Sequence, residues 1–405
     1  MSKKEINIFY ALLSCLVIAL FGLVMFHELK HGDFPAHIAF AKYFSENGYL
    51  YKIPHTLFAR GVTIIRALLP ANILVWISPY VKQVYDLKSF EISTLILMVL
   101  TYLFLAYIIA NRILNEWKNS TNKALFWVGF ITFTILLAAP IFLFTFPNRM
   151  FVGYVNGNRY DSPTYILSKP FVLLFFLGIV DNFEAKWNWK QAILIAIALV
   201  CATLAKPSFT ITILPAIGIL VLFSIKRLRK INWGFLIFAI GLPSIIVLFG
   251  QYIINYSGNR GDRILIAPFK EILFHVPNLY LVFFLIIMSI AFPIVITTFY
   301  WKEIKHDLEF RLAWINYFIG QMYGLIFCEE INFGVLNFWN SAMIANFVLF
   351  FTTVKFYGRD IYENIATRKK LSSKQIVASG VLVLHLLCGI IYFIATLLNK
   401  GVNVG

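Results

Sequence analysis

The feature that most limits the fold is a series of long apolar segments that recurs along the whole chain. A helix crosses the hydrocarbon core of a bilayer with about 20 apolar residues, and about eleven segments meet this condition. They lie near residues 6–27, 90–111, 125–147, 165–181, 190–205, 208–225, 233–255, 279–300, 312–328, 338–356 and 376–397. The sequence therefore predicts an all-α, polytopic transmembrane helix bundle that forms a single domain over residues 1–405.

Composition supports a membrane protein and argues against a nucleic-acid partner. Of the 405 residues, 60% are hydrophobic and 13% are charged, whereas about one quarter of an average soluble chain is charged. The net charge of +16 comes without basic runs interleaved with exposed aromatic residues, so membrane topology explains it better. The four cysteines show neither disulfide nor metal spacing. No cofactor is predicted, and a divalent metal ion has no support.

Basic loops orient the predicted bundle. The runs KRLRK at 226–230 and TRKK at 367–370 mark the cytoplasmic side, because short cytoplasmic loops are rich in Lys and Arg. This places the N-terminus, with Lys3 and Lys4, in the cytoplasm. Residues 28–89 then form a large first external loop.

Within that loop the sequence predicts amphipathic helices in the membrane interface. Asp33 precedes Phe34–Asn47, where a carboxylate can cap a helix and a proline is tolerated in the first turn. The apolar face of this helix carries Phe34, His37, Ile38, Phe40, Ala41 and Phe44. A helix with one such face lies flat at the lipid–water boundary. Residues 55–69 form a second candidate, and 71–80 are too short to span, which indicates a re-entrant or surface segment.

Asp33 is the candidate catalytic residue. A lone aspartate before a helix is usually a cap, but Glu28, His31 and His37 lie close to this one in the sequence. A carboxylate at the membrane surface could act as a general base on a lipid-linked substrate. His31 and His37 are candidate substrate contacts, although a single histidine is more often a packing residue.

Other polar residues on the external side are further candidates for substrate binding. They are Arg149, Arg159, Lys169, Lys206, Arg260, Arg263, Glu329, Glu330 and Trp339. The cations suit a phosphate group, and the alternatives are a snorkelling lysine or a solvated loop. The adjacent carboxylates either face water or orient a site. Trp339 suits a sugar-stacking platform or an interfacial aromatic belt.

The layout resembles the GT-C superfamily of polytopic membrane glycosyltransferases. The pieces similar to bacterial proteins of that kind are HGDFPAH at 31–37, PTYILSKP at 163–170, AKPSF at 205–209 and EEINFGVLNFW at 329–339. The resemblance implies a large first external loop whose early carboxylate, Asp33 here, serves as base or acceptor anchor. The external Lys and Arg residues would hold the carrier phosphate. The second acidic element of metal-dependent members is missing, which favours metal-independent chemistry.

The predicted function is transfer of a sugar from a polyprenyl-phosphate or pyrophosphate carrier to a glycan, lipid or protein acceptor. The resemblance implies a bacterial inner (cytoplasmic) membrane location, with the active site on the periplasmic side. Two alternatives stay open: a transporter or flippase of a lipid-linked sugar, and a polysaccharide polymerase or ligase. A transporter would show inverted repeats and charges along the inside of the spans, and the sequence shows neither.

Overall fold

The computed structural model describes residues 2–47, 56–69, 79–117, 122–143, 151–256, 263–331, 334 and 336–398. The segment 71–78, most of the predicted re-entrant piece, lies outside them. The described chain is almost entirely helical, as predicted. Its first helices are α1 (Lys3–Glu28), α2 (Phe34–Asn47), α3 (Thr56–Leu68), α4 (Pro79–Glu116), α5 (Asn122–Leu137), α6 (Pro163–Asn182), α7 (Trp189–Ala205) and α8 (Ser208–Phe223).

The second half of the chain contains shorter pieces and a small β-ribbon. A 3₁₀ turn, Ile225–Lys230, leads into α9, in which the π-helical turn Leu236–Gly241 joins Trp233–Phe235 to Leu242–Tyr256. The later elements are β1 (Ile264–Ile266), α10 (Lys270–His275), α11 (Leu279–Ser289), α12 (Ala291–Phe299), α13 (Trp301–Ile304), α14 (Leu308–Ile326), β2 (Phe327–Glu329), α15 (Trp339–Ala366) and α16 (Ser373–Leu397). The strands β1 and β2 pair antiparallel.

Among the described residues, six helices are long and apolar enough to cross a membrane, or seven if α11 and α12, bent by 64° at their junction, form one broken span. The six are α1, the Lys88–Glu116 part of α4, α6, the Trp233–Ile253 stretch, α15 and α16. The other predicted spans are helical too. Ala124–Leu137, α7 and α8 are shorter than a membrane crossing requires, and α14 is not apolar enough. The predicted helical class is thus confirmed, and the long apolar helices are compatible with an integral membrane protein, whereas the count of about eleven spans is not confirmed.

Two helices form the centre of the bundle. Buried residues make up 94% of the apolar window of α15 and 83% of that of α6. α14 packs closely along α15 because glycines face it. A Cβ atom on Gly320 would come within 2.7 Å of the backbone oxygen of Ser341, and one on Gly324 within 2.7 Å of the Trp339 ring. Small residues at such contacts let helix backbones approach each other in membrane proteins.

Charged residues gather at both ends of the bundle. At one end, which we call the Lys355 end, Lys355 Nζ lies 2.8 Å from Glu309 Oε2, and Arg112 Nη1 lies 2.7 Å from Asp181 Oδ2. The opposite end, the Asp33 end, contains the junction of α1 and α2, residues 151–162 and the start of α15. The predicted external residues that the structure describes, such as Arg159 and Trp339, lie at this second end.

The helix α2 begins at Phe34, as the sequence predicts, and the structure describes it to Asn47. Phe34 and Ala41 are buried, whereas Lys42 and Glu46 on the opposite face are exposed. Phe40, on the predicted apolar face, remains 40% exposed. α2 packs on α3, but this contact covers only part of its apolar face. That it lies in the membrane interface stays a prediction.

Two glycines of α16 provide a matched test of this packing. A Cβ atom on Gly389 would overlap the backbone oxygen of Leu137 at the end of α5, whereas one on Gly380 meets nothing within 4 Å. We expect Gly389→Ala to destabilise the protein by about 1–3 kcal/mol or more, since overpacking displaces backbone. Gly380→Ala should be neutral or stabilising by up to about 1 kcal/mol. Thermal unfolding in detergent measures both, and equal melting temperatures for the two variants would contradict the α5–α16 contact.

Candidate functional site

The candidate site is built on residues 151–162, an irregular segment inside the bundle. The Asn, Gly and Tyr content of residues 148–164 predicts a turn-containing loop on the external side, and turns are present in the part that the structure describes. Every residue from 151 to 170 is buried within the protein, and the side of the membrane on which they lie stays a prediction. Gly153 has a φ of +83°, and a Cβ atom there would lie 2.7 Å from side chains of Val276 and Leu285. Only glycine fits this position without strain. Buried irregular backbone requires hydrogen-bond partners, because neither lipid nor water satisfies it.

Side chains of the surrounding helices supply those partners. Trp339 Nε1 donates to the backbone oxygen of Tyr154 at 2.9 Å, and Asn346 Nδ2 donates to that of Val155 at 2.6 Å. The amide of Val155 donates to Ser289 Oγ at 2.9 Å. The segment is therefore attached to α15 and to the end of α11. Trp339 is predicted to contact substrate, but its indole is fully buried and binds the backbone of Tyr154 instead.

A buried ion pair lies at the C-terminal end of the segment. Arg159 donates from Nε to Asp161 Oδ1 at 2.7 Å and from Nη2 to Oδ2, and its Nη1 donates to Asn340 Oδ1 at 2.8 Å. Arg159 is 9% exposed and Asp161 is 5% exposed. Burial alone would lower the pKa of Arg159, but the charge of Asp161 outweighs that effect and raises it, with a smaller contribution from Asp33. Arg159 is therefore a permanent cation at this end.

Asp33 is anchored to this ion pair through its backbone. Its amide donates to the backbone oxygen of Asp161 at 2.9 Å. The approach depends on Gly32, which has a φ of +56° and whose Cβ position lies 2.7 Å from that same oxygen. The carboxylate of Asp33 is exposed. Within the described residues it accepts no hydrogen bond from the first turn of α2, so it does not form the helix cap that the sequence also allows.

Lys206, between α7 and α8, completes a cluster around Asp33. Burial, and next the charge of Arg159, lower the pKa of Lys206 to about 8 against the opposing effects of Asp33 and Asp161. In the part of the chain that the structure describes, Lys206 forms no ion pair. We call the group Asp33, His37, Arg159, Asp161 and Lys206 the Asp33 centre. It contains an exposed carboxylate within electrostatic range of a lysine ammonium, and the two groups do not form an ion pair with each other.

His37 belongs to the same centre but faces the neighbouring helices. Its ring packs edge-on against Phe58 of α3, with the ring centroids 5.6 Å apart. Burial lowers the pKa of His37 to about 4, with Asp33 opposing this shift and Lys206 adding to it. The imidazole is therefore neutral at pH 7, and it can donate or accept a hydrogen bond but adds no charge.

Lys169, a predicted phosphate contact, lies deeper in the protein. It is 1% exposed, and its Nζ donates to Asn158 Oδ1 at 2.9 Å. The ammonium also lies 5.3 Å from the ring centroid of Tyr165 and 5.0 Å from that of Phe347. These contacts fix the side chain of Asn158, which is itself part of the buried segment. Lys206 is consequently the better placed of the two lysines to meet a substrate.

Three further predicted contacts, Glu329, Glu330 and Arg263, lie in or next to the strands of the β-ribbon. Glu329 pairs with Ile264 in the ribbon and accepts a hydrogen bond from Asn337 Nδ2 at 2.8 Å. The amide of Glu330 donates to the backbone oxygen of Arg263, and both residues are exposed. Arg149 and Arg260 lie outside the described residues.

One possible set of metal ligands, at the end of α1, was not predicted from the sequence. His27, Glu28 and His31 lie in HELKH, which has the H-E-x-x-H spacing of zinc sites. In the structure their ligand atoms lie within 4.8 Å of one another. This spacing was the signal that could have revealed the set. Asp161 and Asn340 carry no comparable signal, because their role depends on the burial of residues 151–162.

Comparison with known proteins does not identify the function of this site. No protein-family model matches the chain, and a search of curated proteins finds no significant similarity. The resemblance to the GT-C superfamily therefore stays a prediction, and function has to be argued from the geometry.

Proposed function

We propose that the protein is a membrane glycosyltransferase of the GT-C type, which moves a sugar from a polyprenyl-phosphate or pyrophosphate carrier to an acceptor hydroxyl. The observation that supports this most is the Asp33 centre, in which an exposed carboxylate is fixed beside an unpaired lysine. The two groups match the two charges that develop in such a reaction.

The carboxylate of Asp33 is suited to the role of general base. Glycosyl transfer requires removal of the proton from the attacking hydroxyl as its oxygen bonds to the anomeric carbon. Asp33 reaches solvent, and neither a cation nor a helix amide among the described residues occupies its oxygens. The hydrogen bond from its own amide to Asp161 keeps the residue in place.

Lys206 is suited to bind the carrier phosphate. When the bond from the anomeric carbon to the phosphate oxygen breaks, the electron pair stays on phosphate, and a nearby cation stabilises that charge. No general acid is needed, because phosphate is already a good leaving group. Arg159 adds positive potential, although Asp161 and Asn340 occupy its donors. The acceptor proton passes to Asp33, so the charges balance.

The apolar bundle accounts for the lipid part of the substrate. Long apolar helices such as α1 and α16 leave much of their surface exposed, and lipid around them can dissolve a polyprenyl tail. The basic runs at 226–230 and 367–370 lie at the Lys355 end and are typical of the cytoplasmic side. We therefore propose an inner-membrane protein whose Asp33 end faces the periplasm.

The first test separates the base from a structural residue. Asp33→Asn should lower turnover by about 100-fold or more, the usual contribution of a general base, and leave donor binding nearly unchanged. Transfer and binding can be measured on detergent-purified protein with a panel of polyprenyl-phosphate-linked hexoses and pentoses. The matched control is Asp307→Asn, at the N-terminus of α14, where Asp307 accepts a hydrogen bond from the amide of Phe310. Because asparagine also caps helices, the control should keep full activity, and equal activity of both variants would contradict the assignment of Asp33.

A second test uses the pKa of Lys206. Because this pKa is about 8, the ammonium loses its proton as the pH rises through 8, and transfer efficiency should fall above that pH. In Lys206→Arg the side chain stays charged, so the decline should move to higher pH. Lys190→Arg, at the exposed opposite end of α7, should leave the profile as it is in the parent. A pH profile of kcat/KM that is the same in Lys206→Arg and the parent contradicts the phosphate role.

A further inference from the structure

The cluster of His27, Glu28 and His31 contains a buried carboxylate with few positive charges near it. Glu28 is 3% exposed. Among the described residues its one ion-pair contact is His27 Nδ1, at 3.4 Å from Glu28 Oε1. The nearby negative charge of Asp161 also acts on it. A carboxylate that is buried in this way is unfavourable unless a cation or a proton neutralises it.

The ring of His31 has an orientation that is common among metal-binding histidines. His31 Nδ1 lies 2.8 Å from the backbone oxygen of His27, so this nitrogen carries the proton and donates. That leaves Nε2 of His31 with its lone pair available. Ligating histidines usually donate their second ring N–H to such a carbonyl, which fixes the tautomer and the ring orientation. The two rings stack in parallel, with centroids 4.4 Å apart.

A groove gives access to the cluster from the outside. It has a volume of about 710 Å³ and lies between α1, α4 and the end of α16. Both His27 and His31 line it, together with Lys30, Lys88 and Glu91. Glu28 does not line the groove, so it approaches the cluster from the protein side while the two imidazoles border open space.

We propose that His27, Glu28 and His31 form a binding site for a divalent transition-metal ion such as Zn²⁺. Imidazole and carboxylate ligands suit this class of ion. Metal–ligand distances are about 2.0–2.2 Å, so ligand atoms that lie within 4.8 Å of one another need only side-chain adjustment to meet one ion. The ion would neutralise Glu28, and its remaining coordination positions would face the groove.

The order H-E-x-x-H also occurs in zinc hydrolases, where the glutamate acts as a base on metal-bound water instead of as a ligand. Here the burial of Glu28 on the protein side places it away from the groove, where such a water would lie. The site therefore has three protein ligands, with positions open to oxygen ligands such as water, phosphate or carboxylate. This inference does not depend on the proposed glycosyl transfer.

The experiment is a metal titration of the full-length protein in detergent after treatment with a chelator. The parent should bind about one Zn²⁺ per chain by calorimetry and by elemental analysis. His31→Ala and Glu28→Gln should each weaken binding by more than about 100-fold, since even the partners of ligands are worth 10- to 100-fold. The matched control is His306→Ala, which removes an exposed histidine near the Lys355 end and should bind Zn²⁺ like the parent.

A measurement on the unaltered chain covers the case in which a variant fails to fold. Co²⁺ added to the metal-free parent should give the visible absorption of an ion with four or five nitrogen and oxygen ligands, and Zn²⁺ should displace it. Two results overturn the proposal. One is a parent that binds neither ion, and the other is a folded His31→Ala or Glu28→Gln that binds Zn²⁺ as tightly as the parent.

Discussion

The ion pair of Arg159 with Asp161 is the interaction on which the Asp33 end depends. Both side chains are buried where water cannot screen them, so either charge alone would be strongly unfavourable. A pair of this kind adds little net stability, but removing one partner typically costs about 3–5 kcal/mol. Its value here is positional. The donors of Arg159 reach Asn340 at the start of α15, and the backbone of Asp161 holds that of Asp33.

The same constraint explains why polar groups concentrate around one irregular segment. Residues 151–162 carry backbone groups that lie outside any helix, and the surrounding helices supply hydrogen-bond partners from Trp339, Asn346 and Ser289. These side chains are part of the support and not of the substrate surface. Asp33 is attached to this support through its amide, and in the proposed reaction such an attachment would preorganise its carboxylate. The proposed metal site lies at the end of α1, a few residues before Asp33 in the sequence.

The sequence predicts what depends on local pattern. Apolar length predicts the helices, and the Asp-Phe-Pro sequence predicts the start of α2. Asp33 stood out because other ionisable residues lie near it. The burial of residues 151–162 could not be read from their Asn, Gly, Tyr and Arg content, which is typical of an exposed loop. The contacts of Lys169 and Trp339 are with this buried segment, and so they could not be predicted from the sequence. The number of spans is also not fixed by hydropathy, because several helices are shorter than a membrane crossing or too polar.

The most direct test of the central claim is hydrogen–deuterium exchange of the peptide that covers His31–His37. If the buried pair organises the Asp33 end, Arg159→Met should speed exchange of these amides by at least about tenfold, which corresponds to about 1.4 kcal/mol. The matched control is Arg112→Met, which breaks the ion pair with Asp181 at the opposite end and should leave this peptide unchanged. If exchange at His31–His37 is the same in Arg159→Met and in the parent, the ion pair does not hold Asp33 in place, and the account of the site is contradicted.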